Sequence, residues 1–461
     1  MSRINSNKYF LLLASFSLIL YACNINKQYS NNQRISSNLY RDSLPSDSSN
    51  IATLSWREIF KDTLLQNLIK EGIQNNLNLK IASTNIKAAE ANYSQSISAF
   101  YPSLSVAGQG GVYRPANQQG SNTQLYQLYL TSSWQADIWG KLKSSKKALL
   151  ASLLQSEAYK QAVQTQLVAD IAGAYYTLIS YDAQLNIAQT SVDKYAKDIK
   201  TMQILKNSDV VTSAAVVQSK ANYYAVLSTI PDIKNNIRQT ENTLSVLLAR
   251  RPGNIKRDSI FNQEAYPSLN VGVPAQLLAN RPDVREAELQ LRNTFELTNV
   301  ARTYFYPAIT ITGEAGLYSN NLNTFFKPGA MFANLIGGIT QPIFNNGLNK
   351  QRLKVAEANY EAAQYSFTQA LLNAGLEISN ALYQYQIAGE KSTSRKEQIA
   401  NLQKAVFYTS ELLKYTSTTN YTDVLTSEQN LLAARQSAVN DKLQQLQAVV
   451  NLYAALGGGW K

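Results

Sequence analysis

FYPSLSVAGQGGVY at residues 100–113 returns as FYPAITITGEAGLY at residues 305–318. Six of the fourteen positions are identical and the other eight are conservative exchanges. The same offset pairs Ile138 and Trp139 with Ile343 and Phe344. A repeat of this length in a 461-residue chain means two copies of one structural unit. Proline closes the helical pattern ahead of each copy. The period then switches to two: Ser103-Leu104-Ser105-Val106 alternates, as does Ile309-Thr310-Ile311-Thr312. A second alternating segment follows in each half. Tyr126, Leu128, Leu130 and Trp134 share one face, and Leu335, Ile339 and Ile343 lie at even spacings. Alternating segments near ten residues long are the signature of outer-membrane barrel strands. Tyr101, Tyr113, Trp134, Trp139, Tyr306, Tyr318 and Phe344 stand at segment ends, where interfacial aromatic girdles form. Taken singly, any segment also suits a soluble hairpin on a small core.

Outward from the strands, the chain reads as helix. Leu64, Leu65, Leu68 and Ile69 mark a short amphipathic helix, and Asn76 to Ala99 a second. Lys141 to about Lys206 contains no proline and one glycine, and Leu348 to about Tyr415 repeats the pattern, again with no proline. At 1.5 Å per residue each stretch is a helix of roughly 100 Å, a length that calls for coiled-coil-like partners. A turn and a return helix follow each, Ser213–Ala249 and Tyr421–Leu456, and Pro231 should bend the first. Pro282, with Asp283 and Glu286, suits the first turn of a further helix. Lys141, Lys143, Lys146 and Lys147 follow the second strand, and Lys350, Arg352 and Lys354 the fourth. They form a basic collar, placed either to meet anionic headgroups or for solubility.

The first 22 residues read as an export signal: Arg3 and Lys8, then the apolar run Tyr9–Ala22, too short to span a bilayer. Leu20-Tyr21-Ala22-Cys23 resembles the bacterial lipobox, so Cys23 is expected to be lipidated and to become the mature N-terminus. The alternative is a lone buried cysteine. Residues 23–55, rich in Ser and Asn, read as a tether. The folded body then comprises a first repeat (56–250), a proline-bearing linker (251–280) and a second repeat (281–461). With a single Cys there is no intrachain disulfide. The complete absence of His excludes His-based triads and His-ligated zinc. Glycine-rich phosphate loops and metal-ligand clusters are also missing from the sequence, so neither an enzyme nor a cofactor is expected. Lys and Arg outnumber Asp and Glu by 43 to 31, but they are scattered along helices, which argues against nucleic acid as a partner.

Four strands cannot close a barrel, and open edges do not survive in lipid. Two copies would give eight strands, an interior filled by side chains. Three give twelve and leave a lumen. The expected fold class is therefore an α+β membrane protein, internally duplicated, with four transmembrane strands per chain. As a homotrimer it would form a twelve-stranded β-barrel and a long α-helical barrel.

VGVPAQLLANRPDVREAE (271–288), the FYP repeats, TQPIFNNGLNK (340–350) and YTDVLTSEQNLLAAR (421–435) resemble the TolC-type outer-membrane efflux factors. The lipobox places the chain nearest their NodT-like lipoprotein branch. The resemblance runs from Trp56 to the C-terminal Gly-Gly-Gly-Trp. It implies a trimeric duct with a mixed equatorial region, reaching from the outer membrane of a Gram-negative bacterium into the periplasm. The implied partners are a periplasmic adaptor and an inner-membrane exporter of the resistance-nodulation-division class. The family's helix-to-helix turns usually carry glycine. Here Asp209 occupies the first such place, while the second turn, Tyr415 to Tyr421, is a residue shorter and offers Asn420. Both types tolerate the left-handed conformation. An acidic constriction ring of the family maps to Asp423, and a second acidic position to Thr426. Asp423 is otherwise a helix-capping charge. Three functions stay open: an efflux duct for small amphipathic compounds, the exit duct of a type I protein-secretion system, or a non-conducting structural lipoprotein.

Overall fold

The computed structural model describes residues 26–30, 54–113, 123–265, 280–415 and 421–460. Within them the chain is mostly helical, with four strands. Helices α1 (Trp56–Ile59), α2 (Thr63–Asn75) and α3 (Leu77–Ser98) lead into β1 (Ser103–Tyr113) and β2 (Thr123–Ala136). The long α4 (Lys141–Asn207) follows, then α5 (Ser213–Leu227) and α6 (Thr229–Leu247). The second half repeats the order: α7 (Pro282–Thr303), β3 (Ala308–Ser319), the short α8 (Leu322–Phe325), β4 (Met331–Thr340), α9 (Leu348–Tyr415) and α10 (Tyr421–Ala455). None of the described helices is long and apolar enough to cross a membrane.

Two expectations are refined. Pro231 interrupts the hydrogen-bond ladder of the first return helix: it divides at Ser228 into α5 and α6, with the backbone of Ser228 still helical (φ −68°, ψ −19°) and Pro231 in the first turn of α6. Proline has no N–H for the carbonyl four residues back, so the ladder loses that bond. Ile343, expected in the fourth strand, lies beyond it. β4 ends at Thr340, because Pro342 has no N–H to donate to a ladder.

The chain divides into two compact units, and neither coincides with a sequence half. One joins, among the described residues, 26–30, 84–113, 123–157 and 286–368. It carries the antiparallel sheet, ordered β1-β2-β3-β4. The register places Val106 opposite Leu130, Leu130 opposite Ala315 and Ala315 opposite Ala333. Because side chains alternate, one sheet face therefore gathers Leu104, Val106, Leu128, Leu130, Ile311, Leu317, Met331, Leu335 and Ile339. This face is bare: Leu104 is 71 % exposed, Ile339 73 % and Leu335 80 %. The other face carries Ser105, Gln109, Gln127, Thr131, Thr312, Glu314 and Asn334. At the foot of the sheet the Trp139 indole donates to the Pro307 carbonyl at 2.7 Å, and its ring centroid lies 5.1 Å from that of Tyr306. Lys141 and Arg352, one from each basic cluster, both lie over the Tyr304 ring, at 4.6 and 4.5 Å. The Asp137 carboxylate accepts the Leu142 and Lys143 N–H groups and caps α4, offsetting the lysines at that helix end.

Residues 26–30, read as tether, are held instead. The Asn26 amide donates to the carbonyls of Trp139 and Gly140, at 3.1 and 3.3 Å. Asn299 brackets Lys27, donating to its carbonyl and accepting its N–H.

Of the described residues, the second unit joins 54–83, 158–265, 280–285, 369–415 and 421–460. Leu65, Ile69, Ile171, Tyr175, Leu178, Leu244 and Tyr453 are buried in it. Arg257 ties Asp182 on α4 to Glu241 on α6, and Arg281 ties Asp283 to Glu377.

Candidate gate at the helix turns

Two residues past the end of α4 the backbone turns left-handed. Asp209 has φ +57°. Its N–H reaches the Lys206 carbonyl at 3.0 Å, while Val210 N–H reaches back to Leu205 at 2.9 Å. These two bonds make a Schellman stop, a motif that glycine usually serves because a Cβ is strained at positive φ. Aspartate bears that strain better than most residues. Around the turn, Met202, Val216, Tyr421, Val424 and Leu425 form one buried cluster, with Leu205, Val211, Ala215 and Leu413 packed against it. The first helical turn and the beginning of α10 are thus packed together. Asp423 sits exposed in the first turn of α10, where the helix dipole favours an acid, and Thr426 is exposed one turn later. Asn420 and Cys23 lie outside the described residues.

Just behind this cluster is an ionic site that the sequence reading did not single out. Lys194 on α4 meets Glu428 on α10 at 2.5 Å. Glu428 is buried, as is Tyr195. Asp198 stands one helical turn beyond Lys194 on α4, beside Glu428. Burial first, and the Glu428 charge second, push Asp198 up to about 7, against a lowering pull from Lys194. Burial pushes the phenols of Tyr195 and Tyr421 up to about 12. Tyr421 and Ser219 of α5 share a hydrogen bond of 2.8 Å. A cavity of about 440 Å³ opens beside Lys194 and Glu428, bounded by Phe407, Leu431 and Arg435. The participants are distant in sequence, so helical periodicity gives no signal for them.

The sequence profile of the family described as "Outer membrane efflux protein" matches residues 68–250 and 273–458, one stretch in each half. The chain belongs to this family. It is 28 % identical over 427 residues to the cation efflux system protein CusC of Escherichia coli O6:H1, covering 92 % of each chain. It is 27 % identical over 411 residues to the solvent efflux pump outer membrane protein SrpC of Pseudomonas putida, covering 88 % of this chain and 87 % of that one. The solved outer-membrane channel OprN superposes with a TM-score of 0.87 at 23 % identity, covering 95 % of this chain and all of that one. The protein is therefore an outer-membrane efflux channel of the TolC and NodT type. The sheet and the long helices are the elements that the superposition shares.

Proposed function

We propose that three copies of this chain form a passive exit duct, through which small amphipathic compounds leave the periplasm across the outer membrane. The observation that carries this reading is the four-stranded sheet with one bare apolar face and one polar face. Such a sheet suits lipid on one side and water on the other. Its order leaves β1 and β4 each with one neighbour among the described residues, and three such sheets would close into twelve strands. With β1 and β4 running in opposite directions, closure between copies would continue the antiparallel alternation. In this reading the chain does no chemistry. A periplasmic adaptor dictates opening, and an inner-membrane pump supplies the energy. The names of the relatives, a cation efflux protein and a solvent efflux pump protein, favour small solutes over secreted proteins as cargo.

Asp423 is proposed to line the constriction, as one carboxylate from each of three copies around a single axis. Cys23 is proposed as the lipid anchor. Asn26 is bound at the foot of β2, and three residues reach at most about 10 Å. The acyl chains would then enter the bilayer beside the apolar sheet face. Mass spectrometry of the N-terminal peptide checks the acylation. Planar bilayers test the duct: the purified protein should give discrete conductance steps, and Asp423→Ala should enlarge them and weaken block by multivalent cations. Absence of conductance would leave only a structural lipoprotein. Unchanged steps and block in the variant would return Asp423 to helix capping.

A further inference from the structure

The Asp198–Glu428 pair has a feature that an ordinary ion pair lacks. Asp198 Oδ2 and Glu428 Oε2 are both buried, and neither has a hydrogen-bond partner among the described residues; Asp198 stands one helical turn beyond Lys194, the residue ion-paired with Glu428, so the two carboxyl groups are neighbours across α4 and α10. Two carboxylate oxygens that meet without a donor repel each other. The arrangement is stable when one proton lies between them. Among the described residues the cation that balances the pair is Lys194, bonded to the opposite oxygen of Glu428. The groups facing the pair are Lys194 and Tyr195 from α4, and Tyr421 from α10. Arg435 of α10 borders the adjoining cavity. α5 contributes the Ser219 hydroxyl through Tyr421, and α9 lines the cavity with Gln403 and Ser410.

We propose that Asp198 and Glu428 form a proton-sharing latch, which fastens the first two turns of α10 to α4 when the shared proton is present and loosens them when it leaves. α10 begins at Tyr421, and the residue proposed for the constriction, Asp423, lies within the segment so fastened. The latch itself depends only on α4 and α10, so it stands or falls independently of conduction.

The sign follows from linkage. An undocked Asp198 would titrate near the ordinary carboxyl value, whereas the docked one holds its proton up to about 7. Docking is therefore strongest below the ordinary carboxyl value, and the window in which it changes runs from there to about pH 7. It weakens as pH rises through that window and is constant above it. Each pH unit inside the window is worth about a factor of ten in the docking equilibrium.

Hydrogen exchange of the 421–430 segment in the detergent-solubilised full-length protein tests this, with Asp198→Asn measured at the same pH. The ratio of wild-type to variant exchange cancels the intrinsic pH dependence of amide chemistry. The asparagine amide donates permanently to Glu428, so the variant should be latched at every pH. The ratio should rise about tenfold or more between pH 5.5 and pH 8.0. A ratio unchanged between the two overturns the proposal. Lys194→Gln gives a second reading that does not need the first variant to fold. Without the ammonium the pair holds its proton more tightly, so the pH at which the segment loosens should move upward. A midpoint that stays or falls also overturns the latch.

Discussion

At the scale of single residues, Asp209 is the clearest case of a side chain tolerated rather than chosen by the backbone. Its φ of +57° belongs to the left-handed region, and the Schellman bonds around it require that conformation. Asp209→Gly is expected to stabilise the turn by about 0.5–1 kcal/mol, and Asp209→Val to destabilise it by about 1–2 kcal/mol. Hydrogen exchange at Val210, whose amide closes the motif, measures both. Equal protection in the two variants would mean that the packing of Leu205, Val211 and Met202 sets the turn, not its dihedral. That a residue able to adopt positive φ was needed here was legible in the sequence, from the helix-turn-helix pattern and the place where glycine is usual. The partnership of Asp198 with Glu428 was not legible. The two stand on helices far apart in sequence, and an acid on a long helix is no signal by itself.

At the scale of elements, the sheet decides where the chain can reside. Leu335 lies midway along the outer strand β4, on the apolar face and opposite Gly313. Thr312 lies on the other face, opposite Ser133 and Ile336. Leu335→Lys should cost about 2–4 kcal/mol of stability in a bilayer, the price of a cation in hydrocarbon. Thr312→Lys should change stability by about 0.5 kcal/mol or less. Denaturant unfolding from lipid vesicles compares the two, and equal losses would contradict a lipid-facing assignment. The strands were readable because alternation of apolar and polar residues is a direct print of the pleat. Their ends were less so: counting even spacings carried the fourth strand on to Ile343, past Pro342, where the ladder has no donor. The long helices were readable to within a residue or two, since nothing but the absence of breakers was needed. The fixed position of residues 26–30 left no trace in periodicity, because it rests on the amides of Asn26 and Asn299 meeting backbone groups far along the chain.

At the scale of the whole molecule, two compact units each draw on both sequence halves, so the duplication describes how the chain was written rather than how it is partitioned in space. The proposed assembly makes a geometric demand that the chain alone does not meet: β1 of one copy must pair with β4 of another. Cysteine at Ser105, combined in turn with cysteine at Asn334, Ile336 or Gly338 in a Cys23→Ser background, samples neighbouring registers of that joint. At least one combination should yield covalently closed trimers on denaturing gels, and failure of all three would refute the pairing. The bare apolar face also bears on the history of each molecule before assembly. A newly exported chain with its sheet already formed would present water with an oily plane and two unpaired edges, the arrangement that drives chains to coalesce. In the proposed assembly the sheet would therefore not be an early, free-standing product of folding. It would be completed together with its neighbours and its lipid, so that the bilayer acts as a reactant of folding as well as its destination.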